Sequence, residues 1–471
     1  MSFRIFFFIL FFWIGFLFLD LPWPHADDVF YGGTPVEYAQ TGHLGNRMAI
    51  GLLSLSKTYY YPPFQPIVCG TWLRLVGINT RGLLSFQALC GALCSYGLWL
   101  FFVRYELKVS AYVFTLIALF GRFLTAACHP SAFALVLLIW GLLGIHQTSW
   151  KWRFLGLLLL AASIFTLPYF LFFVIPFGLW AFYSPYLNEG EEITWGSWIF
   201  CGIIATALNL SLFLVAIQFE WREWIKGYWT LIQLVPTPIN IHGLGGGMMT
   251  LFYFLKSQTN AFFALLGGVI SGVLCIIFAP PRTKLFSLAF LVSFFLMMYF
   301  YSVSFFFLMP WVSLSFIFVT WLTIEPIESP LLKKLAWISV VGVFIMMMAP
   351  LMVQIVAQKK QLTSEEISKI KSYASLSNQR LVIDSVVWRY VFDSQAPPHC
   401  VGITFMIQPR YNFFATPTTI QEKNPDDLWI VSKEYLQVMI PDTGILFEPL
   451  VVSGKPLYAI PKWKDEIIIL K

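Results

Sequence analysis

At 471 residues, 58% hydrophobic and 11% charged, with mean hydropathy +0.73, the chain is too apolar for a soluble globular protein, whose charged share is about 25%. Its net charge of +6 sits in short Lys and Arg clusters between apolar runs, not on a continuous basic face. That pattern excludes nucleic acid as a partner and makes membrane lipid the solvent for most of the chain.

The predicted elements begin with an apolar run over 4–20, with Arg4 ahead of it. No A-x-A-like cleavage site follows, so the run reads as an uncleaved first span and not as a signal peptide. A long loop over 21–81 comes next and is predicted to lie outside. It opens with "WPHADDVFYGG", in which Asp27 and Asp28 are adjacent carboxylates. Within it, 62–77 ("PPFQPIVCGTWLRLVG") is predicted to be a helix lying at the interface. Making it a span would invert the basic clusters that follow.

Span two covers 82–103 and ends at Arg104 and Lys108. Span three covers 110–127 and leads to "CHPS", and span four covers 132–146 and returns to Lys151 and Arg153. Spans five and six share 154–183 across a "TLPY" break. Span seven covers 197–217, before a second long outside loop over 218–258. Span eight returns to Arg282 and Lys284. Spans nine and ten bracket "YSVSFF" and return to Lys333 and Lys334, and span eleven covers 335–357. Five of the six turns assigned to the cytoplasm carry Lys or Arg; the exception, 184–196, is acidic. Acidic residues have little influence on orientation, so the parity stands.

The composition turns polar at about 358. Residues 358–471 read as a small soluble α/β domain, placed outside by the same parity. "RLVIDS", "CVGITF" and "DLWIVS" are predicted strands, and "PLVVSGKPLYAIPK" a hairpin turning at Ser453–Gly454. The predicted fold is thus an α-helical polytopic membrane domain over 1–357, with about eleven spans, followed by this extracytoplasmic unit. Most cysteines lie in or beside apolar runs and read as small packing residues. Cys69 and Cys400 are the two that could face a non-cytoplasmic compartment, and no disulfide is expected from them.

Taken alone, Asp27 and Asp28 read most simply as helix caps. The loop around them reverses that preference, because long loops between spans are commonly functional. Later in the chain, Arg222 and Lys226 stand four apart on one predicted helix face among Trp and Tyr. They are candidates for a phosphate, against the alternative of snorkelling side chains. "HGLGGGMM" is too loose for a nucleotide loop and lacks the P-loop Lys.

An acidic pair after the first span, then "VEYAQTGHL", then "YYPPFQPIVCGTWLRLVGINTRGL", is a sequence of motifs that resembles the GT-C glycosyltransferases. The likeness is to the protein mannosyltransferase and aminoarabinose transferase group, and it covers residues 1 to about 130. It implies transfer of a sugar from a polyprenyl-phosphate carrier to a lipid, glycan or protein acceptor at the non-cytoplasmic face of a membrane, the bacterial inner membrane being the expected one. It also implies that Asp27 or Asp28 is the general base.

Two positions depart from the family pattern. Tyr61 stands where a Lys commonly precedes the Pro-Pro, and His129 stands where a second acid is expected. Tyr60, Tyr61, Lys57, Arg47, Arg81 and His129 are the remaining candidates for contacts to phosphate or sugar, with Arg222 and Lys226 the first choices. Beside a Pro at a helix start, His129 is more often structural. A divalent cation could be held by Asp27, Asp28 and a His, but the spacing does not demand a metal. The competing readings are a lipid-linked glycan polymerase or ligase, a transporter, and a non-catalytic member of the same fold. A transporter should show ionisable groups in mid-span or inverted repeats, and the acids and bases here sit at span ends.

Overall fold

A computed structural model of the chain describes residues 2–18, 28–45, 62–104, 129–147, 149–183, 195–226, 259–278 and 281–300. It also describes isolated positions between 309 and 372, and five strands. Spans three, ten and eleven therefore fall wholly or largely outside the described residues.

The described helices are α1 (Ser2–Phe18), α2 (Asp28–Thr41), α3 (Phe64–Val76), α4 (Thr80–Arg104) and α5 (Pro130–Ile145). They continue with α6 (Trp150–Thr166), α7 (Leu171–Tyr183), α8 (Trp195–Ala216), α9 (Thr259–Phe278) and α10 (Pro281–Phe300). Both α4 and the greater part of α8 are long and apolar enough to cross a membrane; α1, α5, α7, α9 and α10 contain shorter apolar stretches. At 1.5 Å per residue, the 25 residues of α4 extend about 37 Å and exceed a hydrocarbon core of about 30 Å. The 13 residues of α3 reach only about 20 Å, too short to cross. The break expected between spans five and six is a 3₁₀ turn, Pro168–Phe170, at a Pro that lacks the N–H to continue a helix.

One apolar core joins these helices. It includes Ile9 and Trp13 of α1, Val36 of α2, Leu73 of α3, Phe86 of α4, and Phe290 and Phe294 of α10. Small residues set the closest approaches. The Trp13 indole lies over Gly91, where an added Cβ would meet it at 2.5 Å, and its N–H donates to Ser95 Oγ at 3.0 Å. Gly141 and Gly144 of α5 face Gly156 of α6, where a Cβ would fall 2.6 Å from the Ile145 nitrogen. Cys69 of α3 is fully buried in this core. The sequence left open that Cys69 could face a non-cytoplasmic compartment; its thiol is instead buried in the core as a small packing group.

Toward the C-terminus lie β1 (Leu381–Asp384), β2 (Val401–Ile403), β3 (Leu428–Ser432), β4 (Pro449–Leu457) and β5 (Asp465–Leu470), in the order β2-β1-β3-β5-β4. β1 pairs in parallel with β2 and β3, while β5 pairs antiparallel with β3 and β4. The hairpin expected at Ser453–Gly454 is corrected, because β4 runs through both residues. Its register against β5 slips between Val451 and Pro456, five steps on β4 answering two on β5 (Ile468 to Glu466). The surplus residues are absorbed as an irregularity in the strand, so Ser-Gly bends the ladder without reversing it. The reversal comes after Leu457, before the β-branched run "DEIIIL", which the sequence reading did not assign to a strand.

Candidate functional site

Asp28 is the first residue of α2. That helix is a poor helix former by composition, with Gly32, Gly33 and an internal Pro35. Burial supports it instead: residues 32–37 are all buried, including Thr34 and the Glu37 carboxyl group. Two contacts from other elements hold its ends.

At the start of α2, the Tyr31 ring packs on the His129 imidazole with centroids 4.3 Å apart. Tyr31 is three residues after Asp28 and so neighbours it along the helix. His129 is fixed in turn by its own helix. It is the N-cap of α5, with Pro130 at the first position, and its Nδ1 accepts from the Ser131 N–H at 3.1 Å. Ser131 Oγ lies 2.7 Å from the same nitrogen. A Pro at N1 costs no hydrogen bond, and a side-chain acceptor at the cap satisfies one of the exposed N–H groups. The contact brings the expected "CHPS" loop onto the turn that carries the acid.

At the far end of α2, Arg74 of α3 closes the helix. Its Nε donates to the Ala39 carbonyl and its Nη2 to the Tyr38 carbonyl, both at 2.8 Å. The guanidinium also lies 5.2 Å from the Tyr38 ring centre. A cation on the last carbonyls of a helix satisfies acceptors that have no intrahelical partner and complements the dipole. Gly70 makes this approach feasible, since a Cβ there would come within 2.7 Å of both the Pro35 oxygen and Tyr38 Cδ1. Downstream, α3 ends at Gly77 with φ +113°, a conformation that L side chains rarely adopt. Asn79 Oδ1 then accepts from the Gly82 N–H at 2.8 Å to start α4.

The second expected loop begins with a sharp turn. Gln218 and Phe219 both have positive φ, 55° and 60°, and a short helix over 221–226 follows. Arg222 and Lys226 are both exposed and lie on that helix, as their spacing predicts. The Arg222 guanidinium lies 5.4 Å from the Trp221 ring centre. Trp224 anchors the helix by meeting Phe213 edge to face at 5.0 Å. It joins a small apolar cluster with Leu44, Tyr38, Phe64 and Ile67, so the pair of cations is tied to the end of α2 and to α3.

Of the expected site residues, the structure brings the α2 turn of Asp28 together with His129. It places Arg222 and Lys226 on a neighbouring segment, and leaves Arg81 exposed in the first turn of α4. Asp27, Arg47, Lys57, Tyr60 and Tyr61 lie outside the described residues, as does the side chain of Asp28. Among the described residues, no three His, Cys, Asp or Glu side chains form a group that could hold a metal ion. Sequence reasoning missed Tyr31 and Arg74. The Tyr-Gly-Gly sequence gave no reason to prefer a ring contact, and a lone Arg at the end of an apolar helix reads as snorkelling.

The fold resembles that of solved structures, in keeping with the GT-C resemblance that the loop motifs carry. Two solved structures carry the likeness, both of ArnT from Cupriavidus metallidurans. The one bound to undecaprenyl phosphate matches with TM-score 0.58 and 12% identity, over 98% of this chain and 97% of that one. The apo structure matches with TM-score 0.55 and 12% identity, over 96% and 95%. No protein-family model matches the sequence, and no curated protein matches it significantly.

Proposed function

We propose that the protein is an integral membrane glycosyltransferase that moves a sugar from a polyprenyl-phosphate carrier to a lipid, glycan or protein acceptor at the non-cytoplasmic face. The observation that carries this reading is the end-to-end fold likeness to ArnT, joined to an acid-bearing helix that Tyr31 and Arg74 tether at its two ends. In this reading the spans of 1–357 form the catalytic body, and 358–471 stands outside the membrane.

The chemistry sets the roles. The acceptor oxygen attacks the anomeric carbon, the bond from that carbon to the phosphate oxygen breaks, and the acceptor's proton passes to a carboxylate. Asp27 is the first choice for that base and Asp28 the second. A phosphate is already a good leaving group, so its departure calls for cations and not for an acid to protonate it. Arg222 and Lys226 supply those cations, in place of the Lys that Tyr61 displaces. His129, Arg81, Arg47, Lys57, Tyr60 and Tyr61 are the further candidates for contacts to sugar and phosphate. No metal is assigned a step.

The test uses membranes bearing the wild type, Asp27→Ala or Asp28→Ala, supplied with radiolabelled polyprenyl-phosphate sugars. Loss of a general base is expected to slow transfer by about 10²–10⁴-fold in one variant. Wild-type rates in both variants would overturn the reading.

A further inference from the structure

The transfer reading makes no use of the C-terminal sheet. Strands β1, β2, β3 and β4 all run in one direction, because β5 alone is antiparallel to its two neighbours. The connections 385–400, 404–427 and 433–448 therefore join parallel strands, and each must return the chain to the edge where the next strand begins. The order β2-β1-β3-β5-β4 sends the chain from β1 to β2 on one side and from β3 to β4 on the other. β1 and β3 are neighbours, so the winding reverses between them. In open α/β sheets, ligands bind in the crevice outside the carboxyl ends of the strands at such a reversal.

Register brings two polar residues to this point. Ile383 is paired with Ile430, so Asp384, the last residue of β1, stands level with Val431. Ser432, the last residue of β3, is one residue further along the adjacent strand. Neighbouring strands lie about 4.8 Å apart, so one crevice is bordered by a strand ending in Asp and a strand ending in Ser. β5 starts at the same edge with Asp465 and Glu466, since Ile467 is paired with Ser432. Those two acids stand across β3 from Asp384, roughly 10 Å away, and outside the crevice.

The chemistry of the pair selects hydroxyl groups. A carboxylate accepts hydrogen bonds at both oxygens, and a serine hydroxyl both donates and accepts. Adjacent hydroxyls of a sugar ring offer the complementary set. In doubly wound dinucleotide sites, an acidic residue takes a ribose hydroxyl in this way, while a Gly-rich turn after the first strand holds the pyrophosphate. Residues 385–396, which follow β1, contain no Gly, so the phosphate half of that pattern is missing and the sugar half is kept.

We propose that the carboxyl ends of β1 and β3, at Asp384 and Ser432, form a binding site for a neutral saccharide, the glycan part of an acceptor. The choice of a saccharide rests on the sugar-transfer reading above; the placement of the two residues does not.

The test is saturation-transfer difference NMR on the full chain in phospholipid nanodiscs, with the methyl glycosides of glucose, galactose and mannose as probes. Saturation transfer to the ring protons of at least one glycoside is expected. Its Kd should rise about tenfold in Asp384→Asn, the loss of one hydrogen bond to a charged group, and about fivefold in Ser432→Ala. Ser432→Ala carries the test if Asp384→Asn fails to fold. No saturation of any of the three glycosides, or wild-type affinity in the folded variants, overturns the proposal. Tighter binding of glucose 1-phosphate than of the neutral glycosides overturns it in favour of an anion site. Binding that EDTA abolishes and calcium restores overturns it in favour of a metal site. The readout is binding and leaves Asp27 and Asp28 unchanged. A failure here is therefore distinct from wild-type transfer rates in Asp27→Ala and Asp28→Ala, which would overturn the transfer reading.

Discussion

His129 accepts the Ser131 N–H at Nδ1, so the neutral ring carries its proton on Nε2. Its capping and its position against Tyr31 are separable by mutation. Replacing it with Ala removes the cap and is expected to cost about 1 kcal/mol, read as a lowered midpoint of thermal unfolding. Asn is a good N-cap, so His129→Asn is expected to restore that midpoint. It cannot restore an aromatic surface for Tyr31 or an imidazole N–H. Reduced sugar transfer in His129→Asn at wild-type stability is the expected result if the ring touches substrate. Unchanged transfer would confine His129 to capping.

Among the elements, α2 and α3 form the unit on which the candidate site depends. Gly70→Ala places a methyl group 2.7 Å from the Pro35 carbonyl oxygen, which is backbone and cannot swing away. A cost of about 1–3 kcal/mol is expected, with the destabilisation read by thermal unfolding. Gly156→Ala should act similarly between α5 and α6, where the nearest atoms are again backbone. The sequence announced most helices here through apolar length and basic ends, and α1, α4, α5 and α8 fall within a few residues of their expected bounds. It announced three strands, β1 to β3, by compact β-branched runs. It did not announce β5, because "DEIIIL" opens with two acids, or the continuity of β4, because Ser-Gly resembles a turn. Contacts such as Tyr31 on His129 depend on side chains about a hundred residues apart, and no local pattern encodes them.

Across the whole molecule, the parity of basic clusters makes a claim about sidedness that exposed lysines can report. In a cysteine-free background, Lys226→Cys is expected to react with a membrane-impermeant maleimide in intact cells. Lys151→Cys is expected to react only after permeabilisation. Both positions are exposed, so burial does not confound the comparison, and the reverse pattern would invert the assigned orientation. The full-length likeness to ArnT at 12% identity shows that the fold tolerates nearly complete replacement of its side chains. The sites must then be argued from the residues present in this chain.

The two tethers on α2 have a consequence for how order is distributed. Two glycines and a proline each disfavour a helix, by about 1 kcal/mol per Gly and about 3 for Pro, so α2 has no folding autonomy. It borrows its persistence from α3 through Arg74 and from α5 through His129. In hydrogen exchange, its amides are expected to open together with the start of α5 and with α3, as one cooperative unit, and not to fray from the ends. The acid at its first residue therefore sits on borrowed rigidity, and a lesion at Gly70 of α3, which faces Pro35 and Tyr38, should be felt at Asp28 as a loss of protection before any residue near Asp28 has been changed.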